Sequence, residues 1–159
     1  MGFLKEPEAK TKRSRAGVNT IVPDLIYQRG QIYTWSRAVK QRRLEEWGVS
    51  AIINFWPKVD PDLAEVPLDW YWQLSSPRSE EMLEPRMLCA ADAVANYLEL
   101  QNTGVLVLCE AGKTRSVFFC ILLYHAMGHT WEQSQEFVLG KVPSAMLKGF
   151  MLDWLADQK

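Results

Sequence analysis

Gly104-Val-Leu-Val-Leu-Cys109-Glu110-Ala111-Gly112-Lys113-Thr114-Arg115-Ser116-Val-Phe-Phe-Cys120 is the stretch on which the fold turns. Val105 to Leu108 is a run of β-branched and leucine residues, the composition of a strand buried on both faces. From Arg115 the chain reads as a strongly apolar helix over 115–127, with Gly128 after it as a stop. Five residues between Cys109 and Arg115 form the loop that joins strand to helix. At the C-terminal end of a parallel strand such a loop opens into the crevice of an α/β sheet. It is long enough to curl into a cradle of backbone N–H groups. The helix points its N-terminus, roughly half a positive charge, into the same place. Gly112 supplies a conformation that other residues resist and lets an anion approach the backbone. The stretch predicts an anion cradle.

Downstream, Thr130 caps a helix over 131–140 with Gln133 at the third position, as in a capping box. Pro143 is expected to open a last helix, about 143–157. Upstream, Pro85 to about Leu100 reads as a helix with Leu88, Ala91, Val94, Ala95 and Leu98 on its apolar face. Trp70–Leu74 is a strand broken at Ser75-Ser76-Pro77-Arg78-Ser79, and Ser50–Trp56 is a strand apolar enough to be buried on both faces. Pro57–Pro67, between them, is an acidic loop or short helix. Residues 34–47 predict a helix with Trp35, Ala38, Val39, Arg42 and Trp47 near one face, and Leu25–Tyr27 a short strand ending at Arg29-Gly30. Strands alternating with helices predict one α/β domain over 18–159, a central and mostly parallel sheet of four or five strands flanked by helices. Residues 1–17 mix Lys, Arg, Glu, Pro and Gly without periodicity and read as a flexible basic arm.

The 159 residues suit a single domain, and 48% hydrophobic content is enough for a core without disulfides or a structural metal. No 18-residue apolar run could span a bilayer, and the start lacks the features of a secretory leader, so a cytoplasmic monomer is expected. The net charge of −1 divides into +7 over residues 1–43 and −8 over the rest. The basic part reads as a solvated tail and a surface helix, and no nucleic-acid partner is expected. Reduced thiols are the rule in the cytosol. Cys89 and Cys120 fall on helix faces and read as core packing, which leaves Cys109 to be explained by chemistry.

Within the cradle, the helix end and Arg115 favour the Cys109 thiolate, which can attack phosphorus and form a cysteinyl-phosphate. Arg115 offers a planar fork that matches two phosphate oxygens and the flattened transition state. Ser116 can donate a hydrogen bond to the sulfur when it leaves. Here the chain resembles the cysteine-dependent protein tyrosine phosphatases, and among them the dual-specificity group. Their signature is His-Cys-x5-Arg-Ser/Thr, and Cys109-Glu-Ala-Gly-Lys-Thr-Arg115-Ser116 matches its second part. The resemblance covers roughly 21–157. It implies Cys109, Arg115 and Ser116 as catalytic residues, phosphate binding by Glu110, Ala111, Gly112, Lys113 and Thr114, and neither metal nor cofactor.

Two positions depart from that signature. Leu108 stands where the family has His, which the low-molecular-weight tyrosine phosphatases also lack. No Asp lies about thirty residues before the cysteine, where the dual-specificity enzymes carry the acid that protonates the leaving oxygen. Loops after parallel strands offer Glu80, Asp62, Glu81 and Asp60, ranked in that order, whereas Asp69 sits at the wrong end of its strand; a solvated acidic rim is the competing account. The expected activity is hydrolysis of a phosphomonoester on a protein or peptide. The alternatives are an inositol phosphate or phosphoinositide phosphatase, suggested by Lys113, and a catalytically impaired phosphate-binding relative, suggested by Leu108. A rhodanese-like sulfur or arsenate enzyme is a third class, opposed by Ser116. Gly112-Lys113-Thr114 does not complete a nucleotide P-loop, because Val107 occupies the position of its first glycine. His125 and His129 lack a third ligand nearby and read as surface or helix-end histidines.

Overall fold

The computed structural model describes residues 17–74, 85–101 and 103–158. Strands β1 (Asn19–Val22) and β2 (Ile26–Gly30) are followed by α1 (Arg37–Trp47), β3 (Val49–Asn54), α2 (Pro61–Glu65) and β4 (Trp70–Gln73). Then come α3 (Pro85–Gln101), β5 (Gly104–Cys109), α4 (Arg115–Ala126), α5 (Trp131–Lys141) and α6 (Gly149–Ala156). The sheet runs β1-β2-β5-β3-β4. β2, β3, β4 and β5 are parallel, and β1 adds an antiparallel edge. The expected fold class is what the chain adopts.

β5 lies at the centre because its side chains are apolar on both sides. Val105, Val107 and Cys109 join the larger core with α3, α4, α5 and α6, and Leu106 and Leu108 join a second core with Trp47, Ile52 and Leu63. Burial of every β5 residue leaves the strand's two ends as its only routes to solvent. At the C-terminal end, Gly30 aligns with Cys109 and Asn54 with Leu108, so β2 and β3 flank the loop that follows. The Phe55 amide donates to the Leu108 carbonyl at 2.8 Å, and the Gln31 amide donates to that of Glu110 at 3.1 Å.

Four readings of the sequence need correcting. The edge strand β1 was not anticipated, because Asn19-Thr20-Ile21-Val22 is too short to show a period and gains its order from pairing with β2. Helix α1 buries only part of the face expected of it, with Trp47 in the core. Ala38 and Arg42 are exposed, and Lys40, Leu44 and Trp47 point inward, with Lys40 1% exposed. Ion pairs from Lys40 to Asp60 (2.9 Å) and Asp62 (2.8 Å) explain how an ammonium is tolerated there. The last helix starts at Gly149 rather than at Pro143. Residues 143–148 are held in turn and extended form by a Met146 amide bond to the Lys113 carbonyl, 2.7 Å, and by the Thr114 hydroxyl donating to the Met146 carbonyl at 2.7 Å. Cys89 is exposed on α3 rather than packed in the core, whereas Cys120 is fully buried.

Candidate active site

A cavity of about 360 Å³ opens at the end of β5, lined by Cys109, Glu110, Ala111, Lys113, Thr114, Arg115 and Lys148. The strand–loop–helix junction thus brings the expected nucleophile, arginine and loop residues to one place. The loop is pressed against β2 by two glycines. A Cβ on Gly112, whose φ is +72°, would lie 2.3 Å from the Gly30 nitrogen, and one on Gly30 would lie 2.9 Å from the Glu110 carbonyl oxygen. Only backbone without side chains fits between them.

Behind the loop lies a buried polar chain. The Cys109 Sγ is 3.0 Å from Ser116 Oγ, and Gln28 Nε2 donates to Ser116 Oγ and to the Gly112 carbonyl, both at 2.7 Å. Gln28 is 0% exposed and accepts on Oε1 a 2.8 Å bond from Asn19 Nδ2. Thr114, the residue before α4, spends its hydroxyl on Met146 and makes no side-chain cap to the helix. The first amides of α4 are therefore not capped by it.

The acid candidates fall in different places. Glu80 and Glu81 lie outside the described residues. Asp60 and Asp62 start α2, where Asp60 Oδ1 accepts from the Asp62 amide at 3.1 Å. Hydrogen bonds from Lys40 and then Arg37 hold the Asp62 carboxyl below its usual range. Burial pushes hardest on Lys40 and acts against its charge, yet the bonds to Asp62 and Asp60 together raise it. Neither aspartate lines the cavity. A carboxyl held ionised by Lys40 and Arg37 is poorly suited to deliver a proton, which disfavours Asp62, and Asp60 is tied to Lys40 outside the cavity lining. Asp69 precedes β4, at the sheet end opposite the loop, and accepts from the Tyr97 hydroxyl at 2.7 Å.

Lys148, Gln28 and Gly30 were not singled out from the sequence. Lys148 was hidden by a helix assumed to begin at Pro143. The signal for Gln28 was a lone amide in Leu25-Ile26-Tyr27-Gln28, where its neighbours require burial. His125 and His129 are far from this chemistry in role: His125 stacks on Trp131 and contacts the His129 carbonyl at 2.7 Å, and His129 stacks on Tyr124. Among the described residues no group of three potential ligands is placed to hold a metal ion.

No family model and no curated protein matches the sequence. Solved structures do match in fold. The Cydia pomonella PTP-2 phosphatase superposes with a TM-score of 0.71 at 14% identity over 87% of each chain. Human DUSP28 gives 0.67 at 16% identity over 87% of this chain and 90% of its own. PTPMT1 solved in complex with PI(5)P gives 0.67 at 13% identity over 83% and 88%. The architecture, its covered parallel sheet and its cysteine loop after the central strand together give this chain the fold of the dual-specificity-type cysteine phosphatases.

Proposed function

We propose that the protein is a cysteine-dependent phosphatase that hydrolyses a phosphomonoester through Cys109. The observation that carries the reading is that Cys109 lines one cavity with Arg115, the first residue of α4, while its Sγ lies 3.0 Å from Ser116 Oγ. Arg115 and the loop amides would hold the phosphoryl oxygens, and the Cys109 thiolate would attack phosphorus in line with the leaving oxygen. The P–O ester bond breaks as the S–P bond forms, and the leaving oxygen takes a proton from Glu80 or Glu81. Water then attacks the cysteinyl-phosphate and gives up a proton to the carboxylate that the first step left behind. The S–P bond breaks, inorganic phosphate departs, and the Ser116 hydroxyl steadies the returning thiolate.

A phosphorylated protein or peptide is the first substrate reading. A multiply phosphorylated small molecule is the second, favoured by Lys148 and Lys113 on one rim and by the PI(5)P bound to PTPMT1. Among the described residues no helix is long and apolar enough to cross a membrane. Turnover of an aryl phosphate by wild type and Cys109→Ser tests the chemistry. The serine variant is expected to lose activity by several orders of magnitude, since one nucleophile carries both steps, while still retaining phosphate. Undiminished turnover in the variant would overturn the mechanism. Phosphate binding by the wild type without turnover would instead make it a binding module.

A further inference from the structure

We infer that Gln28 is a positioning residue that sets the direction of the hydrogen bond between Ser116 and Cys109. The argument is one of donors and acceptors. Gln28 Oε1 faces the Asn19 amide nitrogen, a donor, and Gln28 Nε2 faces the Gly112 carbonyl, which can only accept. The Gly112 carbonyl fixes the orientation of the Gln28 amide, and the Asn19 contact agrees with it. Its two N–H bonds are then assigned, one to the Gly112 carbonyl and one to Ser116 Oγ. Ser116 Oγ accepts from Gln28 on one lone pair and keeps one proton to give, and the Cys109 sulfur lies 3.0 Å away. The hydroxyl therefore donates to sulfur and favours the thiolate over the thiol.

Sheet geometry explains why β2 can do this. Gln28 aligns with Val107 and Asn19 aligns with Gln28, so the three residues form one row across β5, β2 and β1 on the face where Cys109 points. Leu108, buried in the opposite core, brings no polar group to the nucleophile. The Asn19–Gln28–Ser116 chain of hydrogen bonds supplies that polarity from two strands and α4, and the bond to the Gly112 carbonyl fixes the loop's turn at the same time.

The proposal rests on Cys109 being the nucleophile for its purpose, but its test needs no turnover. In a Cys89→Ala background, alkylation of Cys109 by iodoacetamide is followed against pH, with the modified site identified by mass spectrometry. Gln28→Leu is expected to move the midpoint of the profile about one unit alkaline, a tenfold change in thiolate fraction at pH values below the midpoint. Ser116→Ala should move it as far or farther, and the Gln28→Leu/Ser116→Ala double variant no farther than Ser116→Ala alone. An unmoved midpoint in folded Gln28→Leu overturns the proposal, as does a shift that adds in full to that of Ser116→Ala. Should Gln28→Leu fail to fold, Asn19→Ala, which releases only the Gln28 carbonyl, is read in the same way. A smaller alkaline shift supports the assignment and an unchanged profile overturns it. Failure of the phosphatase reading shows up separately, as full activity in Cys109→Ser.

Discussion

A methyl group added at Gly112 meets backbone that no rotamer change can clear. The residue is in the left-handed region, and its would-be Cβ points into the Arg29–Gly30 peptide of β2. Gly112→Ala therefore has to push the loop off β2 or strain both backbones, at a cost of about 1–3 kcal/mol. The loop carries the amides that would surround phosphate, so catalysis should suffer more than stability. Urea unfolding is expected to show that modest loss, while phosphate affinity and kcat/KM fall by at least tenfold. An Ala variant with wild-type phosphate affinity would show that the close approach of loop and β2 has no bearing on the anion. Gly48 gives the contrast: its φ is also positive, but nothing stands within 4 Å of its would-be Cβ, and its role ends with the left-handed cap of α1.

At the scale of elements, α1 and α2 are joined by Lys40, whose ammonium is buried between Asp60 and Asp62. Replacing it by Met keeps the stem but leaves Asp60 a buried carboxylate without its cation. Breaking a buried pair from one side costs about 3–5 kcal/mol. Lys40→Met should lower the urea midpoint accordingly, and Lys40→Met/Asp60→Leu should recover a good part of the loss. The same cluster makes stability depend on pH. Asp62 has a folded value below its unfolded one, so its contribution is complete above the ordinary carboxylate range and disappears as pH falls through the folded value. Lys40→Met should accordingly show a smaller loss on acidification than the wild type. This cluster also marks where the sequence was and was not legible. β5, α4 and the Thr130–Gln133 capping box could be read directly, because apolar composition and capping chemistry are local. The inward face of α1 could not, since Lys40 is buried only by aspartates twenty residues away. The 143–148 connection was misread for a similar reason. Pro143 is a good helix starter, but bonds to Lys113 and Thr114 take that backbone first.

Over the whole molecule the formal charge is nearly balanced, yet the cavity at the end of β5 gathers Lys113, Arg115 and Lys148 against Glu110 alone. Arg115 lies in the loop-and-helix cradle suited to one phosphate. Lys113 and Lys148 are exposed on the rim, and Lys148 is brought there by the Met146 tethers to the loop. Charges so placed do little for a substrate with a single phosphate already held below them. Their effect is on a second anionic group, and at an exposed site each is worth at most about 1 kcal/mol, or several-fold in binding. Lys148→Ala should therefore lower kcat/KM several-fold on an inositol bisphosphate and by less than twofold on a singly phosphorylated peptide. Lys141→Ala removes the same charge from the end of α5, where Lys141 sits over Phe137 and does not line the cavity. It should leave both substrates unchanged. The gap opened by Lys148→Ala should also narrow when salt is raised from 0.05 to roughly 0.5 M, because screening shortens to a few ångströms over that range. Equal losses on both substrates would mean that Lys148 serves the shared phosphate, and the phosphopeptide reading would then stand without a second anion site.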